Sequence, residues 1–261
     1  LFAAISGSSA ATVATVGKMS IPELRKRNYP EKILLGSLAG SGTLGLLIPP
    51  SIILIIYGVA VQESIAKLFI AGIIPGIMIA LIFMSYVIIW SLINKKEMPK
   101  ILEEYSFLEK IKRSKQLLPV ILLISAVIGS IYTGVATATE AASLGVVGAL
   151  ILSYFQKSLT LETFKSSLLG ATKTSCMIAF ILAGSTFLSL AMGFTGLPRN
   201  LAIWIQGMEL SPYVLILVLM IFYIILGMFL DGISAVVLTM AIIEPMIRQA
   251  GFDMIWFGIF L

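Results

Sequence analysis

The sequence predicts an all-α polytopic membrane protein with inverted repeats, and composition is the first observation that supports this fold class. The 261 residues are 59% hydrophobic and 12% charged, whereas soluble domains carry about 25% charged residues. Uncharged runs of about 18 residues or more are candidates for helices that span the lipid bilayer. Such runs are Ile33–Val61, Leu68–Ile93, Leu117–Thr139, Met177–Leu197 and Ser211–Leu230.

Two distant stretches that align without a gap are the second observation. Ile5–Tyr29 and Met228–Phe252 each hold, in this order, a short Gly/Ser-containing segment, an apolar run, a proline and a short polar stretch. The aligned pairs include Val13 with Val236, Pro22 with Pro245, Arg25 with Arg248, and Tyr29 with Phe252. The two stretches therefore resemble copies of one structural element.

Their unequal charge is the third observation. Residues 18–32 hold five Lys or Arg, whereas residues 241–254 hold Arg248 alone. Because cytoplasmic loops are enriched in basic residues, the first loop is expected in the cytoplasm and the second outside. Repeats of opposite orientation, with a substrate site between them, are typical of secondary transporters. The sequence therefore predicts transport rather than catalysis.

Composition also excludes several kinds of site. The chain has no histidine, so His-dependent metal sites, Ser-His triads and His proton relays are excluded. Its one cysteine, Cys176, lies in an apolar run, so neither a disulfide framework nor a thiolate metal cluster is expected. The net charge of +5 comes from basic clusters typical of cytoplasmic loops, and no nucleic-acid partner is expected.

The two short apolar segments are predicted to be arms of re-entrant hairpins. Leu1–Gly17 is too short to span and is rich in Gly, Ala, Ser and Thr, which also suits a helix-packing face. Ile233–Ile243, which overlaps the end of the sequence LDGIS, is likewise too short. Asp231, within LDGIS, is a candidate site residue. The alternative is that it caps the helix of the second arm.

The run Ile33–Val61 is predicted to be a discontinuous helix. It contains Gly36, Gly40, Gly42 and Gly45, followed by Pro49-Pro50. Proline removes a backbone donor and clashes with the preceding turn. Unwound backbone inside a membrane persists where it is buried or lines a polar cavity, and its freed carbonyls are able to coordinate a cation.

The other segments complete the predicted order of elements. Leu68–Ile93 is a span, and its Pro75-Gly76 pair is assigned no function. Asn94–Gln116 suggests an amphipathic surface helix or a solvated linker helix. Leu117–Thr133 and Val135–Phe155 form paired spans around Glu140, which is either a functional intramembrane acid or is satisfied by Thr137 and Thr139. A span from about residue 168 to Thr195 and an interfacial segment, 197–210, precede the second hairpin.

If the basic loop at residues 18–32 is cytoplasmic, the number of predicted crossings places the start of the second hairpin outside. This agrees with an inverted orientation of the two repeats. The predicted organisation is residues 1–61 as the first repeat core, 62–116 as a span with a cytoplasmic connection, 117–167 as paired spans and 168–261 as the second repeat core. A first residue other than methionine and an apolar last segment indicate the middle portion of a longer protein.

Four motifs in combination resemble the large membrane subunit of TRAP (tripartite ATP-independent periplasmic) transporters. They are SGSSAATVATVG, GSLAGSGTLGLLIPPS, TGVATATEAASLG and GMFLDGISA. The resemblance covers essentially the whole chain and implies a sodium-coupled elevator-type importer, similar to the ion transporter superfamily, in the bacterial inner membrane. It implies a small membrane (Q) subunit, fused or separate, and a periplasmic substrate-binding protein. The implied cargo is an organic acid anion, and the chain looks most like the sialic acid branch.

The same resemblance implies two sites. Sodium would be held by the Ser6 oxygen and by carbonyls near Gly45, Ile48 and Pro50. The substrate would face two hairpin tips, at Ser8, Ser9, Asp231, Gly232 and Ser234. The family's second broken helix would follow Leu261, so a second sodium site is not completed by this sequence.

Three other functions fit the sequence less well. A sodium- or proton-coupled carboxylate transporter of similar architecture would work without a binding protein, and neither partner is visible in this chain. An intramembrane hydrolase with Ser8 or Ser9 as nucleophile lacks an activating base, because there is no histidine and Lys18 lies beyond the arm. A passive channel does not require two inverted hairpins.

Overall fold

A computed structural model describes residues 9–99, 109, 117–196, 200, 203–204, 207 and 211–261. The regular elements of these residues are all α-helices, which confirms the predicted all-α class. The helices are α1 (Ser9–Lys26), α2 (Glu31–Leu47), α3 (Ile52–Ala60), α4 (Ile65–Ile93), α5 (Leu118–Tyr132), α6 (Ala138–Phe155), α7 (Leu161–Thr195), α8 (Pro212–Gly227), α9 (Gly232–Gln249) and α10 (Met254–Phe260).

The chain forms two compact units. The first comprises the described residues within 1–52 and 72–157, and the second those within 53–71 and 158–261. The chain therefore enters the second unit at Ile53, at the start of α3, and leaves it within α4. As a result, nearly all of α3 belongs to the same unit as α7, α8, α9 and α10.

Glycines bring helices close together inside the first unit. A Cβ atom at Gly42 of α2 would overlap Cγ2 of Val13 on α1, and one at Gly148 of α6 would overlap Cδ1 of Leu123 on α5. In a membrane, where apolar burial gives little drive to helix association, such close backbone approach supplies van der Waals contact instead. Gly42 and Gly148 are therefore packing positions.

The predicted discontinuity in residues 33–61 is confirmed. Helix α2 ends at Leu47 and α3 begins at Ile52, with a cis peptide bond between Pro49 and Pro50. Gly36, Gly40, Gly42 and Gly45 all lie inside α2, so only the proline pair breaks the helix. Together α2 and α3 are long and apolar enough to count as one broken span.

Both hairpin arms are longer helices than the sequence predicted. Helix α1 continues past Gly17 to Lys26, and α9 continues past Ile243 to Gln249. The predicted length of the second arm was wrong, because α9 has 18 residues and meets the length and composition criteria for a span. Pro22 and Pro245 do not end their helices. A single proline removes one backbone donor, and the helix resumes beyond it.

The aligned repeat extends to the helix boundaries and caps. Pro22 lies four residues before the end of α1, and Pro245 lies four residues before the end of α9. Two residues beyond the end of each helix lies a left-handed residue, Asn28 (φ 58°) or Gly251 (φ 81°). The Tyr29 N–H donates to the Leu24 carbonyl at 3.1 Å, and the Phe252 N–H donates to the Ile247 carbonyl at 3.2 Å.

These bonds are those of a Schellman cap, which satisfies carbonyls left without a donor at a helix end. A further bond of the same motif joins the Asn28 N–H to the Arg25 carbonyl at 2.9 Å, and another joins the Gly251 N–H to the Arg248 carbonyl at 3.1 Å. The next helix then begins two residues after the cap in each copy, at Glu31 and at Met254. The repeat is therefore one of backbone conformation as well as of sequence.

The remaining described helices match the predicted spans with shifted ends. By length and composition, α4, α6, α7 and α9 are each able to cross a membrane, and α5 and α8 are shorter apolar helices. Helix α7 begins at Leu161, earlier than the predicted 168, because Thr160 caps it. The predicted amphipathic helix in 94–116 and the interfacial segment 197–210 lie mostly outside the described residues.

Cysteines at equivalent positions of the two copies test the inversion. Lys26 and Gln249 are both exposed and are the last residues of α1 and α9. In a Cys176→Ser background, we expect Lys26→Cys to react with an impermeant maleimide only from the cytoplasm. We expect Gln249→Cys to react only from the outside, because basic residues are concentrated in the first copy. Labelling of both cysteines from one side would contradict the inverted repeat.

Candidate functional site

The predicted site residues fall into groups that the structure describes separately. Ser6 and Ser8 lie outside the described residues. Ser9 is the first described residue of α1 and is half-buried, in the first unit. Gly45, Ile48 and Pro50 lie at the break between α2 and α3, and Asp231, Gly232 and Ser234 lie at the start of α9 in the second unit.

The proline pair leaves carbonyl oxygens at the end of α2 without their usual donors. In a continuous helix, the N–H groups of residues 49 and 50 would donate to the carbonyls of Gly45 and Leu46, but proline has no N–H. The Leu46 carbonyl accepts a hydrogen bond from the Ser51 hydroxyl instead. Gly45 is itself buried. The break therefore offers the oxygen ligands that a hard cation prefers.

Ile48 and Gly76 fix the position of this break within the first unit. Ile48 caps α2 with extended backbone, φ −77° and ψ 120°. A Cβ atom at Gly76 of α4 would lie 2.8 Å from Cγ1 of Ile48, so only glycine leaves room for that side chain. The sequence assigned Gly76 no function, and it also did not single out Ser51, which is fully buried. Both are packing or hydrogen-bonding partners of the break.

Asp231 caps the N-terminus of α9. Its Oδ2 accepts a hydrogen bond from the Ser234 N–H at 3.3 Å, and its Oδ1 accepts one from the Ser234 hydroxyl at 2.5 Å. Aspartate is among the preferred N-cap residues because its carboxylate satisfies a free N–H and complements the helix dipole. The capping alternative for Asp231 is thus present in the structure, and a ligand-binding role is compatible with it because the side chain is exposed.

This geometry restricts what the second tip is able to bind. The single hydroxyl proton of Ser234 points to Asp231, so the Ser234 oxygen has only acceptor capacity left. Asp231 also places a negative charge where a helix N-terminus would otherwise attract an anion. This side of the tip therefore favours a cation, or the hydroxyl and amide donors of a substrate, over a bare carboxylate.

Two polar contacts hold α9 against its neighbours in the second unit. The Ser185 hydroxyl on α7 donates to the Val237 carbonyl at 2.6 Å. Thr239 donates its hydroxyl proton to the Ala235 carbonyl at 2.7 Å, so the Tyr223 hydroxyl on α8 donates to Thr239 at 2.7 Å. Interhelical hydrogen bonds of this kind fix the rotation of a helix whose surroundings are otherwise apolar.

Glu140 has a local structural role. Its Oε2 accepts hydrogen bonds from the N–H and the hydroxyl of Thr137, both at 2.8 Å, and Thr137 accepts a bond from the Glu140 N–H at 3.3 Å. This reciprocal pair is a capping box at the start of α6. Of the two interpretations left open by the sequence, the structure shows satisfaction by Thr137.

Comparison with known proteins identifies the family. The model of the tripartite ATP-independent periplasmic transporter, DctM component, matches residues 1–261. The C4-dicarboxylate TRAP transporter large permease protein DctM of Pseudomonas aeruginosa is 34% identical over all of this chain and 61% of its own length. The isethionate TRAP transporter permease protein DctMQ of Oleidesulfovibrio alaskensis is 31% identical, over 100% of this chain and 41% of its own.

The sialic acid TRAP transporter large permease protein SiaM of Vibrio cholerae is 32% identical, over 99% of this chain and 60% of its own length. This chain spans about three fifths of the large permeases it matches. The family model therefore covers every described helix, including the broken helix and the two repeated helices. The chain belongs to the DctM component family of tripartite ATP-independent periplasmic transporters.

Proposed function

We propose that the chain forms the ion- and substrate-binding part of a permease that imports a small organic acid anion together with sodium. The observation that carries this proposal is the repeated unit of helix, Schellman cap and helix, combined with a proline break that removes two backbone donors. Broken helices in inverted repeats are where secondary transporters bind substrate and coupling ions near the middle of the membrane.

Sodium is proposed to bind at the break, with ligands from Ser6 and the carbonyls of Gly45, Ile48 and Pro50. The chemistry fits, because Pro49 removes the helical donor of the Gly45 carbonyl, and Gly45 is buried. A cation ligated by oxygens at the break would take the place of the backbone donors that the prolines remove. Sodium is a transported ion in this mechanism, and the chain's contribution is the arrangement of oxygens around it.

The substrate is proposed to lie at the two hairpin tips, near Ser8, Ser9, Asp231, Gly232 and Ser234. The relatives are named for C4-dicarboxylate, isethionate and sialic acid, all of which carry an acid group. Asp231 repels an acid group but accepts hydrogen bonds from hydroxyl and amide groups. A substrate rich in such groups, of the sialic acid type, therefore suits this tip better than a C4-dicarboxylate does.

We further propose that a small membrane subunit and a periplasmic substrate-binding protein complete the transporter. The family description names a tripartite, periplasmic, ATP-independent system, which implies further components and an ion gradient as the energy source. The name DctMQ of one relative supports a small Q subunit that is either fused or separate. Uptake assays therefore require the complete transporter.

Graded sodium tests the ion site through Ser6. In the complete transporter, we expect uptake of radiolabelled substrate to rise and saturate with sodium. We expect Ser6→Ala to shift that curve to higher sodium without abolishing uptake, because one hydroxyl is lost among several oxygen ligands. Sialic acid, a C4-dicarboxylate and isethionate would be compared as substrates. Wild-type uptake that does not depend on sodium concentration would refute sodium coupling. A sodium dependence in Ser6→Ala equal to that of wild type would remove Ser6 from the site.

A further inference from the structure

Tyr57 joins the second half of the broken helix to α10 within the second unit. Its side chain is 1% exposed, and its hydroxyl donates to the Met254 carbonyl at 2.6 Å. Met254 is itself buried and is the first residue of α10. This bond therefore connects two segments that are 197 residues apart in the sequence.

Gly258 provides the groove in which the Tyr57 ring lies. A Cβ atom at Gly258 would overlap Cε1 of that ring and would lie 2.7 Å from Cδ1. It would also lie 3.0 Å from Cδ2 of Leu68, which is fully buried in the same cluster. Any side chain at position 258 would thus displace the ring and its hydrogen bond.

Arg248 makes a second connection at the C-terminal end of α3. Its guanidinium donates to the Val61 carbonyl at 3.1 Å and to Glu244 at 2.9 Å, and Glu63 lies 3.8 Å away. A cation near the carbonyls at a helix C-terminus is favourable because it opposes the negative end of the helix dipole. Glu244 and Arg248 both lie on α9, so this contact ties α3 to the helix that carries Asp231 at its other end.

We propose that Tyr57 and Arg248 are positioning residues for the coupling ion, an inference that rests on the proposed function. The chain passes from Pro50 and the buried Ser51 directly into α3. The position of α3 therefore determines one end of the segment whose carbonyls are proposed to bind sodium. Holding α3 at Tyr57 and at Val61 fixes that end, and releasing it changes the distances between the oxygen ligands.

Tyr57→Phe tests this inference because it keeps the ring and removes only the hydroxyl. Tyr132→Phe is the control, since it also removes one buried tyrosine hydroxyl but lies at the end of α5, in the first unit. In the complete transporter, we expect Tyr57→Phe to raise the half-saturating sodium concentration about three- to tenfold, the range that one buried hydrogen bond accounts for. We expect Tyr132→Phe to leave it unchanged.

A second readout does not depend on transport. Sodium should raise the thermal unfolding midpoint of the purified wild-type permease, and Tyr57→Phe should need a higher sodium concentration for the same rise. Gly258→Ala, which displaces the ring, should act in the same direction. Equal sodium curves for Tyr57→Phe and wild type would overturn the inference while sodium coupling stands. A wild type that shows no sodium response in either assay would instead refute the proposed function.

Discussion

Replacing Pro49 and Pro50 together with alanine is expected to abolish sodium-dependent uptake while the permease still folds and inserts. The two alanines restore the N–H donors that the carbonyls of Gly45 and Leu46 lack. Alanine is also favoured over proline inside a helix by about 3 kcal/mol per residue. The gap between α2 and α3 should therefore close into regular helix, which leaves no free carbonyl for the ion. Uptake at graded sodium and a thermal unfolding curve measure the two effects.

Pro22→Ala is the matched control for that experiment. Pro22 lies inside α1, is exposed and does not interrupt its helix. We expect this variant to keep the wild-type sodium response, because it restores a donor where no break exists. Uptake that remains sodium-dependent in the Pro49→Ala, Pro50→Ala double variant would show that the break is not where the ion binds.

Asp231→Asn should nearly eliminate transport without a comparable loss of stability. Asparagine is as good an N-cap as aspartate, so α9 should keep its first turn. The substitution removes the negative charge that is proposed to attract sodium or to accept hydrogen bonds from the substrate. We expect uptake to fall by at least about tenfold, which corresponds to a loss of about 1.4 kcal/mol in binding free energy. Initial uptake rates at graded sodium and at subsaturating substrate would measure it.

Asp253→Asn provides the comparison for a purely structural cap. Asp253 caps α10 in the same way, with its Oδ1 accepting from the Trp256 N–H at 2.8 Å. It has no proposed contact with ion or substrate, so Asp253→Asn should transport at the wild-type rate. If Asp231→Asn also transports at that rate, Asp231 is a cap and nothing more.

The environment and general role of the chain follow from its family and its apolar helices together. It is a multi-pass protein of the bacterial inner membrane, and its named relatives are transporter permeases rather than enzymes. The hydrolase alternative therefore finds no support among them. That alternative was already weak in the sequence, because a serine nucleophile needs a base and the chain has no histidine.

The sequence predicted the break between α2 and α3 correctly but not its cause in full. Glycine and proline were both counted as helix breakers, yet Gly36, Gly40, Gly42 and Gly45 remain helical. Glycine keeps its backbone donor, and packing against neighbours such as Val13 stabilises the helical conformation at Gly42. Proline cannot recover its missing donor, so only the paired prolines end the helix.

The sequence alone determined the membrane class, the repeat and the position of the break, because each depends on local chemistry: uncharged length, aligned residue types and missing N–H groups. Tertiary structure decided how far α1 and α9 extend, that Tyr57 lies against Gly258, and that Arg248 reaches the Val61 carbonyl. These contacts join residues nearly 200 positions apart. A single sequence gives no periodic signal for such pairs, because many small residues and many aromatic residues could form them. Only the packing of the folded chain determines which residues are in contact.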